Sequence, residues 1–214
     1  MLRKLGAVIG RELASVRRGA ASRNLLDFGC GSMPYRSIVE AQGFSYAGAD
    51  FESPTLSISP SGALPIADAG YDAVLSVQVL EHVRDLDRYL AEAARVLKDD
   101  GTLLLSTHGA WLYHPHPEDH RRWTRTGLIL DIEARGFVVQ TVEALVGPLA
   151  TTTLIRLTGF AFVLRRLPLI GSPIAALLTM VMNLRGWLED RITPAALIRD
   201  NACIYVVRCV KASV

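Results

Sequence analysis

Cysteine is scarce in this chain, and the three present, Cys30, Cys203 and Cys209, lack the spacing of metal ligands. Cys203 and Cys209 fall on one expected strand with the same facing, too far apart to bridge. A disulfide scaffold is therefore excluded, and a reduced, intracellular, cytoplasmic setting is expected. Neither sign of charge is in excess. The formal net charge is +2 and the basic residues form no long block, which excludes the electrostatic footprint of a nucleic-acid binder. Long unbroken apolar runs are also missing. The uncharged stretch between Arg166 and Arg185 is interrupted by Pro168, Gly171 and Pro173. Roughly a dozen continuous apolar residues remain there, short of the ~20 that a membrane span needs. No internal repeat is present.

What remains is an ordinary globular composition, half hydrophobic over 214 residues, enough for one domain carrying an insertion. Leu2, Leu5, Ile9, Leu13 and Val16 recur at helical spacing among Arg3, Lys4, Arg11, Arg17 and Arg18. A basic amphipathic helix over residues 1–20 is expected, packed on the domain or lying on a membrane. A secretory signal is excluded, because Arg11 and Glu12 cut the apolar stretch short.

From Asn24 onward strands and helices alternate. Strands are expected at Asn24–Phe28, Ser45–Asp50, Asp72–Val77, Thr102–Ser106 and Phe137–Val142, with a last one at Ala202–Val210. Helices are expected at Pro34–Gln42, with proline in its first turn, and at Leu128–Arg135, stopped by Gly136. Another covers Arg84–Lys98, supported by an Arg88–Glu92 pair one turn apart and terminated by Gly101. This alternation means an α/β fold, a parallel sheet with helices on both faces, and a Rossmann-like, doubly wound sheet of seven strands is expected, one more than the six named. The last strand is expected to run antiparallel at or near an edge. An apolar helical insertion, about 145–190, precedes it within a single domain spanning 1–214. The insertion suits a membrane contact, a homodimer contact or a cover over the site.

The strongest chemical signal is LLDFGCGSMPYR, Leu25 to Arg36. A strand ends in the carboxylate Asp27, and two glycines, Gly29 and Gly31, then turn the chain toward a helix. Glycine lets a ligand approach the backbone, and the free N–H groups beyond it face a negative ligand group. Asp27 would repel a pyrophosphate and suits a positively charged ammonium. Asp50, ending the next strand, is placed to accept hydrogen bonds from the two hydroxyls of a ribose.

In order, LLDFGCG, YAGADF, LPIADAGYDAVLSVQVLEHV and EAARVLKDDGTLLLST resemble the class I S-adenosylmethionine-dependent methyltransferases of the ubiquinone-biosynthesis-related (type 11) kind. The later PEDHRRWTRTGLILDIEARGF is similar to the segment that small-molecule members place after the fifth strand. The resemblance implies methyl transfer from S-adenosyl-L-methionine to an oxygen or nitrogen of a small-molecule acceptor, and the apolar insertion suggests a hydrophobic, lipid-linked or glycosylated one. It assigns Asp27, Gly29, Cys30 and Gly31 to the methionine end of the cofactor, Asp50 to its ribose, and Phe51 and Leu64 to its adenine. Gln78 borders the reacting methyl. Two departures stand out. The third glycine is replaced by the run Ser32-Met33-Pro34, and Ser59–Ala63 lacks the acid that many relatives carry for the adenine amino group.

The five histidines all lie at or after expected strand ends, where open α/β sheets bind ligands. A hydroxyl acceptor needs a base, and His82, His114 and His120 are the candidates. The cluster His114-Pro115-His116-Pro117-Glu118-Asp119-His120 invites a metal reading, but its prolines forbid the regular helix that His116 and His120 would need, so no metal ligand is assigned. Asp119 or Arg122 is expected to anchor this loop by ion pairs. A nicotinamide dehydrogenase is the rival enzyme, and it lacks its third glycine and a Tyr-Lys-like pair here. A non-catalytic binding protein or membrane-associated scaffold is the rival class.

Overall fold

The computed structural model describes residues 2–16, 23–53, 56–116, 118–168 and 170–212. The end of the expected N-terminal segment, residues 17–20, lies outside them. The chain forms α1 (Leu2–Ser15), β1 (Arg23–Phe28), α2 (Arg36–Ala41), β2 (Phe44–Asp50), β3 (Leu56–Ser57) and β4 (Tyr71–Val77). It continues through a short 3-10 turn (Leu80–His82), α3 (Leu86–Val96), β5 (Leu97–His108), α4 (Arg125–Glu133) and β6 (Phe137–Leu145). Then come α5 (Pro148–Leu164), α6 (Gly171–Ile192), α7 (Ala195–Asp200) and β7 (Ile204–Lys211).

The seven strands lie in the order β3-β2-β1-β4-β5-β7-β6. The first five are mutually parallel, and β7 runs antiparallel between β5 and β6, one place in from the edge. Both faces are covered, so alternate residues of a strand enter opposite cores. In β4, Val74 faces the core under α3 and α4, whereas Ala73 and Leu75 face the core under α1 and α2. In β5, Leu103 and Leu105 face the first and Leu104 the second. Near-continuous apolar strands follow from that double burial.

The N-terminal helix resolves one choice. Leu5, Ile9 and Leu13 are fully buried against Leu25, Leu104 and Val206, so the apolar stripe of α1 packs on the sheet. Helix α3 is capped by Asp85, whose carboxylate accepts the Arg88 N–H at 3.0 Å. It ends at Val96, earlier than its sequence suggests. Gly101 does not stop it: the register slips between Tyr71 and Ala73, and Lys98–Gly101 forms a bulge within β5. Nor does Glu92 pair with Arg88; it binds Arg95 at 2.7 Å and accepts the Leu64 N–H at 2.7 Å. Pro34 stands before α2, which starts at Arg36. Cys203 precedes β7 rather than joining it, so it packs in the core opposite to Cys209. All three cysteines are free and buried.

The sheet's carboxyl edge positions the site. Leaving β1 the chain turns to one side, toward β2, and later places β4 on the other side of β1. The crevice at that reversal is where doubly wound sheets bind ligands. The insertion rises from the same edge, since Leu145 ending β6 pairs with Ile204, which also pairs with His108. Among the described residues no helix is long and apolar enough to cross a membrane.

Candidate functional site

A cavity of about 820 Å³ opens at this crevice. Its floor is the glycine turn after β1. Gly29 and Gly31 have φ of +89° and +49°, the left-handed region that glycine adopts without strain. A Cβ on Gly29 would meet Val79 at 2.6 Å, so the turn packs tightly against the segment after β4. A Cβ on Gly31 would meet nothing within 4 Å and would stand in open space at the cavity wall. Met33 also has positive φ and carries the turn on where a third glycine is missing.

Asp50 lines the cavity and is already oriented. Its two carboxylate oxygens accept the backbone N–H groups of Gly31 and Phe51, each at 2.8 Å. A carboxylate offers about four acceptor positions, so two remain for a ligand. Asp27 is placed differently. It is 1% exposed, is not part of the cavity wall, and accepts the Tyr46 hydroxyl at 2.6 Å. Burial pushes its carboxyl up to about 6, with the nearby Asp50 charge adding to the rise and Tyr46 opposing it.

The opposite wall comes from the segment after β4 and the loop after β5. Gln78 sits at φ +56°, a strained conformation for its residue type. It is held there by its N–H on Ser106 O at 2.9 Å and its amide on Ser106 Oγ at 3.0 Å. His82, at the end of the 3-10 turn, donates from Nδ1 to Glu118 O at 2.6 Å, which leaves Nε2 with a lone pair. His114 lies edge-on to His82, ring centres 5.0 Å apart. His114 Nδ1 lies 3.1 Å from Leu112 O and 3.2 Å from Arg122 Nη2, which also donates to Leu112 O and Asp119 Oδ2.

Ion pairing fixes the loop. Asp119, almost fully buried, takes Arg122 through both oxygens and also accepts the His114 N–H at 2.8 Å. The guanidinium holds its carboxyl well below the usual carboxylate range. Arg121 donates to the carbonyls of Val83 and Arg84, tying the loop to the start of α3.

Behind the histidines, Glu81 is completely buried; one oxygen accepts Thr107 Oγ1 at 2.9 Å, and the other has no hydrogen-bond partner. His108 Nε2 is 3.5 Å away. Burial raises the Glu81 carboxyl, and burial lowers His108 to about 4, helped by His114 and Arg122, so both shifts favour uncharged forms. Ligand atoms of Glu81, His82 and His114 all lie within 4.8 Å of one another. Sequence assigned no metal ligand, yet these three could hold a divalent cation.

The family pattern described as a methyltransferase domain matches residues 1–145 of this chain, well over half of it. The chain belongs to the methyltransferase domain family. Relatives agree. A probable S-adenosylmethionine-dependent methyltransferase of Mycobacterium tuberculosis is 42% identical over 52 residues, 24% of this chain and 19% of that protein. Another, from Mycolicibacterium smegmatis, is 26% identical over 138 residues, 56% of this chain and 54% of its own length. This chain thus spans about half, or less, of the curated relatives it matches. Among solved structures, Haemonchus contortus phosphoethanolamine N-methyltransferase 2 superposes with a TM-score of 0.61 at 14% identity, over 98% of this chain and 53% of that one. The [4+2]-cyclase SpnF gives 0.58 at 17% identity, over 97% and 82%. At such identities these two report the fold, and the cyclase shows that one fold carries different reactions.

Within this methyltransferase domain, the structure gathers Gly29, Gly31, Asp50, Phe51, Gln78, His82 and His114 around one cavity. Asp27, Cys30, Leu64 and His120 are not on its wall. Leu64 is buried in the core beside Leu90, and His120 is exposed, with Nε2 3.1 Å from Glu118 Oε2. Pro60, Ser61 and Gly62, where the usual acid is missing, do line it. Glu81, His108 and Val79 were not singled out as site residues from sequence. Nothing local in the sequence announces the burial of Glu81. Among the described residues none of the 145–190 insertion lines the cavity, whereas His114, His116 and Glu118 of the loop after β5 do.

Proposed function

We propose that this domain catalyses S-adenosylmethionine-dependent methyl transfer to an oxygen or nitrogen of a small molecule of hydrophobic or lipid-linked type. The observation that carries the reading is the shared wall: an open glycine turn, a pre-oriented Asp50, and His82 with its Nε2 lone pair beside His114 face one cavity. Its volume falls within the range that holds a nucleoside-sized ligand with a second small molecule. The residues fit the cofactor: Gly31 leaves space that any side chain would fill, and Asp50 keeps two acceptor positions for ribose hydroxyls. When bound, S-adenosylmethionine supplies a methyl group on a sulfonium, already a good leaving group.

The protein then has to align and to move a proton. Gln78 and Phe51, on the cavity wall, would border the cofactor. For a hydroxyl acceptor, His82 Nε2 takes the hydroxyl proton as the acceptor oxygen gains the methyl, with His114 positioned beside it. The Glu118 carbonyl on Nδ1 holds the ring in the required tautomer. The Asp119–Arg122 pair keeps the loop closed over these groups, which excludes water.

Calorimetry on wild type and Asp50→Ala tests the reading. Both adenosylmethionine and adenosylhomocysteine should bind the variant roughly ten- to a hundredfold more weakly, because charge-assisted hydrogen bonds to the shared ribose are lost. Wild type that binds neither ligand would leave a non-catalytic binding protein as the better account.

A further inference from the structure

Helices α5 and α6 form a hairpin whose inner side is well packed. Leu157, Ala175 and Met182 are buried, and Gly186 lies beside Thr153. Its root is fastened to the domain: Asp190 accepts the Gly147 N–H at 2.7 Å and pairs with Lys4, and Glu189 binds Thr153. The outer side has no partner. Ile174, Leu177, Val181, Leu184 and Leu188 recur at helical spacing along α6 and are 43–60% exposed. Near the hairpin's turn, Phe160 and Phe162 are 53% and 62% exposed on α5. A soluble monomer seldom leaves so continuous an apolar surface open to water.

We propose that this hairpin is a peripheral docking surface for an anionic lipid bilayer, lying in the interface with its apolar face down. Charge selects that occupant. From Leu154 to Trp187 every charged residue is an arginine, namely Arg156, Arg165, Arg166 and Arg185. Among the described residues only Arg185 of these four pairs with an acid, Glu189 at 2.7 Å. Arg166 lies over the Phe162 ring at 4.2 Å and Arg191 over Trp187 at 4.1 Å, joining a cation to the rim of the apolar surface at either end. Apolar residues flanked by arginines match acyl chains below phosphate headgroups. A second copy would bring arginines against arginines, with no acid on the outer half of the hairpin to answer them. Among the described residues no helix is long and apolar enough to cross a bilayer, so contact is made along the surface. The hairpin rises from the same sheet edge as the cavity, which suits an acceptor drawn from the membrane. The docking surface itself does not depend on the methyl-transfer reading.

Cosedimentation with phosphatidylcholine vesicles, with and without phosphatidylglycerol, tests this at low and high salt. Wild type should bind the anionic vesicles, and binding should fall roughly tenfold or more without phosphatidylglycerol or at high salt. The double variants Leu177→Asp/Leu184→Asp and Arg165→Glu/Arg166→Glu should each lose binding by about tenfold or more. Both change exposed positions, and unchanged melting curves verify folding. Wild type that ignores both vesicle types, or variants that bind as wild type does, would overturn the proposal. So would a dimer in light scattering that Leu177→Asp/Leu184→Asp converts to monomer while lipid has no effect, since a second copy would then be the occupant.

Discussion

Asp27 offers a stability test whose sign is set by burial. In the unfolded chain its carboxyl titrates near 3.8; in the folded protein it titrates near 6. Below pH 3.8 both states hold the proton and the shift contributes nothing. Between 3.8 and about 6 the folded protein holds a proton that the unfolded chain has released, so stability falls as pH rises. Above that window the folded state carries a buried carboxylate, at a cost of about 3 kcal/mol. Solvent screening takes little from this figure, because the residue is 1% exposed. Asp27→Asn removes the titration and keeps an oxygen to accept the Tyr46 hydroxyl. Urea unfolding followed by tryptophan fluorescence should therefore show the variant gaining about 2 kcal/mol on wild type between pH 4 and pH 7. Parallel stability curves for the two proteins across that range would refute the reasoning.

Other expectations follow from the site and the core. His82→Ala should lower turnover on a hydroxyl acceptor by roughly a hundred- to ten-thousandfold at near-normal cofactor affinity, whereas His120→Ala, off the cavity, should leave turnover unchanged. Equal turnover for wild type and His82→Ala would remove the base; activity lost on dialysis against a chelator would mean that Glu81, His82 and His114 hold a cation instead. Asp119→Ala should raise the acceptor KM and destabilise the fold by about 1.5–3 kcal/mol, read by denaturant titration, because Arg122 loses both charge-assisted bonds. Leu90→Ala, at 1% exposure between α3 and the sheet, should cost about 2–5 kcal/mol with the cofactor site intact.

Much of the fold was legible because the sheet is buried on both faces. Runs such as Ala73–Val77 read as strands without any knowledge of partners, and the glycine turn after β1 fixed the ligand edge. The misreadings have local causes. Gly101 looks like a helix stop, but the stop is the extended backbone of Leu97, and the glycine serves a bulge. β3 is two residues long and carries no period. Asp27 could be named from its place before the glycine turn, but its bond to the Tyr46 hydroxyl comes from the neighbouring strand and no local pattern announces it. Glu81 and His108 meet through space, so no spacing rule could pair them. His82 and His114 could be named as candidates, but their convergence depends on the Asp119–Arg122 anchor.

The seating of α1 bears on how the domain forms. Leu5, Ile9 and Leu13 close against Ile204 and Val206, and Ser15 and Glu12 meet Arg208, so residues far apart along the chain complete one core. During synthesis α1 leaves the ribosome long before the last strand of that core exists. Contacts of such long sequence separation form slowly, and until β7 emerges the core against which α1 packs is incomplete. A ribosome stalled before residue 204 should therefore hold a chain whose first helix is protease-sensitive, and release past β7 should bring protection to both ends together.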